Sequence, residues 1–282
     1  MKRVITILAI MAMGVPALAQ DNARDWDIHR NDRQKLLLAF SELDNGLTLA
    51  VRCADGNLEA LLTGLPEPEA RRETRTLHVA FGEDEFDHQT WNVAMNPAIG
   101  LSERPAPFAR KLREGGRLQI RVPGGAEGGR DLRYDLTLPA SSAAIDEVLT
   151  TCRKPLVDPR DALLSDLPED GLPFGVTWRH APRPQFPVTR YARGFAVTSC
   201  LTAEDGRLRD CVVESEHPGD GGFGEAALRG IRQAMVDQTP SQDGVFRPVM
   251  VQFRSSFVMD GYMNREDRAR AREQRARSGQ RP

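Results

Sequence analysis

The stretch Arg193-Gly194-Phe195-Ala196-Val197-Thr198-Ser199-Cys200-Leu201-Thr202-Ala203-Glu204-Asp205-Gly206-Arg207-Leu208-Arg209-Asp210-Cys211-Val212-Val213-Glu214 reads as one β-hairpin. Phe195, Val197 and Ser199 alternate with Ala196, Thr198 and Cys200 in the two-residue period of a strand. Asp205-Gly206 supplies the turn, because glycine takes the positive φ that a tight hairpin needs, and Leu208 to Glu214 runs back. Pairing about that turn sets opposite each other residues whose numbers sum to 411, so Cys200 faces Cys211. A longer or bulged loop would shift the pairing, and a hydrogen-bonded site would hold the side chains further apart.

After the hairpin, Phe223, Ala226, Ala227, Gly230, Ile231, Ala234 and Met235 recur at three and four, the stripe of an amphipathic helix. Pro240 and Gly244 end it. Val249, Val251, Phe253, Ser255, Phe257 and Met259 then alternate as a long last strand. Before the hairpin, residues 154–187 are proline-rich with only short apolar pieces, which predicts an extended, semi-rigid spacer.

Residues 33–153 predict a separate, mainly β domain. Lys35 to Phe40, Leu47 to Cys53, Leu58 to Leu62, Leu77 to Phe81 and Trp91 to Ala94 read as strands. Leu118, Ile120 and Val122 alternate again, as do Leu132, Tyr134, Leu136 and Leu138. Pro105 to Leu112 reads as a short helix closed by Gly115-Gly116, and Ser141-Ser142 caps a second over Ala143 to Thr151. The fold class is therefore α+β.

Residues 1–19 have the layout of an export signal: Lys2-Arg3, the apolar run Val4 to Val15, then Ala17-Leu18-Ala19 ahead of polar Gln20-Asp21. Cleavage is expected after Ala19. The run falls short of the ~20 residues of a spanning helix, and the competing expectation is an uncleaved, short inner-membrane anchor. Without Lys2 and Arg3, 36 basic residues face 40 acidic ones, a net charge of −4 that disfavours nucleic acid as a partner. Four cysteines in a chain bound for an oxidising compartment read as disulfides before metal ligands. They allow three connectivities, and spacing favours Cys53 with Cys152 and Cys200 with Cys211.

The order strand, Asp-Gly turn, strand, glycine-rich loop, helix, proline, strand over residues 173–260 resembles the C-terminal domain of the TonB family. Arg193-Gly194-Phe195-Ala196-Val197, Glu204-Asp205-Gly206-Arg207-Leu208, Gly222-Phe223-Gly224-Glu225-Ala226-Ala227-Leu228, Thr239-Pro240, Asp243-Gly244 and Pro248-Val249-Met250-Val251-Gln252-Phe253 carry it, with Phe186-Pro187 at the aromatic-proline entry. The cysteine pair is similar to a TonB-like branch with cysteines on its first two strands. The resemblance implies a ββαβ domain, at residues 188–260, that offers a sheet edge to which an extended segment of an envelope protein, such as an outer-membrane receptor, adds a strand. The counterpart here is the edge Val249, Val251, Phe253, Ser255 and Phe257, while a core strand or a dimer strand has the same alternation. Residues 33–153 are similar in pattern to small envelope domains of the invasion-associated-locus and type VI accessory families, a resemblance that implies a sandwich-like fold there. The family's transducer role rests on a retained membrane helix and a long spacer, where this chain shows a cleavable signal and a second domain. A periplasmic binding protein is the first expectation, an energy transducer held by an uncleaved N-terminus the second, and a secreted hydrolase the third.

No HExxH, GxSxG, Walker loop or dinucleotide fingerprint occurs, so no catalytic residue, cofactor or metal is assigned. Gly219-Asp220-Gly221-Gly222-Phe223-Gly224 precedes a helix as a phosphate loop does, but in a ββα setting it reads as a fold element. His78 and His88, with Glu83, Asp84, Glu85 and Asp87 between them, read as a solvated acidic loop rather than a cation site. The tail after Gly261 holds seven arginines against three acids, a net +4 that suits contact with anionic lipid or a disordered, solubilising end.

Overall fold

The alternating segments of the first half pair into a single antiparallel sheet. A computed structural model describes residues 25–261 except 44, 69–72, 166, 169, 240–242 and 260; the expected signal and the arginine-rich tail lie outside the described residues. The strands are β1 Asp27–Asn31, β2 Leu36–Glu42, β3 Thr48–Ala54, β4 Asn57–Thr63, β5 Thr74–Phe81, β6 Asp87–Val93, β7 Ile99–Ser102, β8 Gly116–Ala126 and β9 Arg130–Leu138. In space they run β1-β2-β3-β4-β7-β6-β5-β8-β9. The predicted helices form as α1 Pro105–Leu112 and α2 Ala143–Thr151.

Where a sandwich of two sheets was expected, one curled sheet packs on two helices. Leu49, Leu62, Leu77, Trp91, Leu118 and Ile120 from the sheet share a core with Phe108 and Leu112 of α1 and Ile145 and Leu149 of α2. The Trp91 and Phe108 rings meet edge to face at 5.1 Å, the arrangement their quadrupoles favour. Cys53 on β3 is bonded to Cys152 just past α2, with the Cα atoms 5.5 Å apart. That bond clamps the second helix onto the sheet.

The second half contains α3 Arg160–Ser165, β10 Val176–His180, β11 Arg193–Thr202, β12 Leu208–His217, α4 Phe223–Ile231, β13 Met235–Gln238 and β14 Met250–Val258. A three-stranded sheet runs β12-β11-β14, and β10 pairs with β13. The β11-β12 register drifts: Phe195 pairs with His217, Thr198 with Val213 and Thr202 with Leu208, across two irregularities. Number sums therefore fall from 412 through 411 to 410 along the hairpin. Cys200 sits at the second irregularity, next to the Ser199–Val212 pair whose numbers sum to 411, and is bonded to Cys211. The two disulfides are chemistry of an oxidising, exported compartment. No helix among the described residues is long and apolar enough to cross a membrane.

Two expectations give way. Residues 154–187, expected as a bare spacer, hold α3 and β10, with Leu164, Leu167 and Val176 buried. Leu164 and Leu167 form a small cluster with Met250, so few apolar residues suffice when a neighbouring sheet supplies the rest of the core. The helical stripe drawn to Met235 stops at Ile231. Met235 onward is extended because β10 offers main-chain partners, pairing Val176 with Gln238 and Trp178 with Val236.

Candidate functional site

The β11 strand is buried from both sides. Ala196 packs with Phe223, Ala226 and Ala227 of α4, and Cys200 with Ile231, Val236 and Val251. The alternate set, Phe195, Val197 and Ser199, is buried as well, on the side that faces the first unit and α3.

Polar side chains hold that second face. The Arg254 guanidinium on β14 donates to the Glu103 carboxylate at 2.8 Å and to Asn92 Oδ1, and lies 4.0 Å from the Phe195 ring centre. Arg104 Nε donates to Gln252 Oε1 at 2.6 Å, and Ser215 Oγ donates to the Glu103 carbonyl at 2.9 Å. His217 Nδ1 lies 3.5 Å from Glu59 Oε1. Arg160 of α3 donates to Ser199 Oγ at 2.7 Å, and Ser199 in turn donates to Glu214. Burial pushes the Glu214 carboxyl above the ordinary carboxylate range, outweighing Ser199, Arg160, Lys154 and Arg104 around it. For Glu59 burial acts the same way, yet His217 and Arg52 together hold its carboxyl below that range.

The opposite margin of this sheet is an edge. β14 pairs with β11 alone, in register from Arg193 with Val258 to Leu201 with Met250. Of the residues predicted as the binding edge, Val251 and Phe257 are buried under α4 and its neighbours. Ser255 is 7% exposed, and Phe253 meets Trp178 edge to face at 5.4 Å. Val249 lies just before β14, its N–H donating to Thr202 Oγ1. These side chains face the core, and the outer margin of the strand presents main chain instead.

The outward main-chain groups belong to the even-numbered residues. The Gln252 N–H donates to the Gly171 carbonyl at 2.8 Å on the far side from β11, and strand alternation turns Arg254, Ser256 and Val258 the same way. Gly171 closes the start of the edge. No strand among the described residues pairs with the rest, and the side chains of Ser256 and Val258 are exposed.

Other candidates resolve into structure. The helix start after Gly222 is met by the protein's own carboxylate, because Glu216 Oε2 accepts from the Gly224 N–H at 2.5 Å. His78 and His88 stack with ring centres 4.0 Å apart across β5 and β6. Glu83, from the same region, pairs with Arg117 at 3.2 Å. Among the described residues no group of three or more His, Cys, Asp or Glu is placed to share a metal ion. Glu103, Arg104, Gln252 and Arg254 escaped the sequence reading, since residues about 150 positions apart carry no shared period.

No family model matches the chain, and no solved structure does. An uncharacterized protein of Caulobacter vibrioides is 41% identical over 51 residues, 18% of this chain and 51% of that protein. The chain thus spans about half the length of the curated relative it matches.

Proposed function

We propose that the chain is a non-enzymatic, TonB-like binding protein of the periplasm that engages an envelope or outer-membrane transport partner by strand addition along β14. One observation carries the reading: β14 ends its sheet, and the pairing side of Arg254 to Val258 meets no strand among the described residues. An added strand completes main-chain hydrogen bonds that water otherwise satisfies, giving affinity without a deep pocket. The second half departs from the expected ββαβ order by the extra short strand β13, which pairs with β10 rather than with β14, so the β11-β12-α4-β14 core and the signal-like layout of residues 1–19 are what support the same reading. The first unit, packed on the other face of the sheet, acts as a stiff support.

Proline at Ser256 tests this, because it removes an outward N–H and leaves the bonds to β11 in place. Photo-crosslinking from position 258 in cells should capture a membrane protein with the native chain and lose it with Ser256→Pro, at unchanged melting temperature. Equal capture by the folded variant rejects strand addition.

A further inference from the structure

Between the C-terminal half of α4 and the stretch leaving β10 runs an open groove of about 470 Å³. Arg179, His180, Arg183 and Gln185 line one wall, Arg229 and Gln233 the other, and no carboxylate lines either. The two walls touch through Gly230, where a Cβ would fall 2.7 Å from the Pro184 Cα, so this close approach requires glycine. Pro182 and Pro184 flank Arg183 and fix the local φ, which sets its side chain on a stiff support.

The three guanidiniums are not equally committed. Arg179 pairs with Asp237, and Arg229 with Glu225 at 3.6 Å, both in exposed positions where such contacts are weak and exchangeable. Arg183 has no ion-pair partner among the described residues. A planar guanidinium presents parallel N–H donors that fit phosphate oxygens two at a time. One carboxylate engages a single such fork. Three forks on one groove call for several clustered oxygens.

We propose that this groove is an anion site for a compact phosphorylated ligand that presents a cluster of phosphate oxygens, held by Arg183 and Arg229 with Arg179 closing from the side. The Gln185 and Gln233 carboxamides serve its uncharged part. A volume of about 470 Å³ suits a small molecule or a lipid headgroup. A soluble diphosphate and a membrane phosphate monoester present the same chemistry, and the experiment separates them.

The full-length protein is titrated calorimetrically with inorganic pyrophosphate at low salt. In parallel it is floated with phosphatidylcholine vesicles with and without phosphatidic acid. Saturable binding is expected, weakened about tenfold or more by Arg183→Ala and by Arg229→Ala, the loss of one charge-assisted contact. Arg130→Ala, which removes an exposed arginine of β9, should bind as the native chain does. Groove-dependent binding of pyrophosphate alone assigns a soluble ligand, and groove-dependent binding of vesicles assigns a headgroup. Absence of saturable binding in both arms overturns the proposal, as does binding that Arg183→Ala and Arg229→Ala leave intact or that Arg130→Ala weakens equally. All three side chains are exposed, so melting curves of the variants should overlay and a folding defect is distinguishable from lost affinity.

Discussion

Arg254 leaves the last strand, crosses to the first unit and finds Glu103, itself 7% exposed. Truncating it leaves a buried carboxylate with its strongest partner gone. Arg254→Ala should lower unfolding free energy by about 3 kcal/mol in urea titration, while an exposed pair such as Lys35 with Asp55 should cost under about 1 kcal/mol. Glu214 gives a pH prediction of opposite sense to the usual acid loss. Its carboxyl is pushed up on folding, so in the window just above the ordinary carboxylate range the folded chain binds more protons than the unfolded chain. Stability contributed by this group is therefore present at low pH and lost as pH rises through that window. Glu214→Gln should remove that loss, so the variant gains on the native chain between mildly acidic and neutral pH in parallel denaturation curves. Little of this was legible beforehand: Glu103, Arg104 and Glu214 look in the sequence like any surface charge, and only the fold turns them inward.

Elements were easier to read where the local signal was complete. Pro105 to Leu112 has proline at its start and Gly115-Gly116 after its end, and α1 occupies those bounds. The α4 stripe had no stop close to its true end, since Ala234 and Met235 extend its period while Met235 already pairs with His180 of β10. Hairpin chemistry brought the cysteines to neighbouring positions, although the pairs next to Asp205-Gly206 sum to 410 and an irregularity at Cys200, beside Asp210 with its φ of 49°, restores 411. The disulfides should differ in weight. Replacing Cys53 and Cys152 by alanine opens a loop of 99 residues and should cost about 4 to 5 kcal/mol, against about 3 kcal/mol for Cys200 and Cys211, separated by 11. Guanidinium titrations of the two double variants check the order. At the β14 edge, Gly171 has a φ of +72°, and a Cβ there would lie 2.0 Å from the Gln252 carbonyl oxygen. Gly171→Ala should free the Gln252 amide, seen as faster hydrogen exchange at that site while the β11-facing amide of Val251 stays protected.

At the scale of the molecule, the two halves that composition and a proline-rich stretch separate are joined by Arg104, Arg110, Arg160 and Arg254. Arg110 donates to Asp161 at 2.6 Å and to the Pro155 carbonyl at 3.0 Å, tying the supposed spacer to α1. A single calorimetric transition is expected for the native protein, resolving into two when Arg104 and Arg254 are both replaced by alanine. The sequence shows where two cores form, from periodicity in each half. It does not show that they dock, because docking rests on pairings far apart in the chain.

The connectivity of the two disulfides has its own consequence. Along the chain, Cys53 is followed by its partner Cys152, and Cys200 by its partner Cys211, with no interleaving. A polypeptide delivered amino-terminus first into an oxidising space therefore presents its thiols in the order in which they belong together. An oxidant that joins each new thiol to the last one left free makes the native bonds, and no reshuffling catalyst is needed.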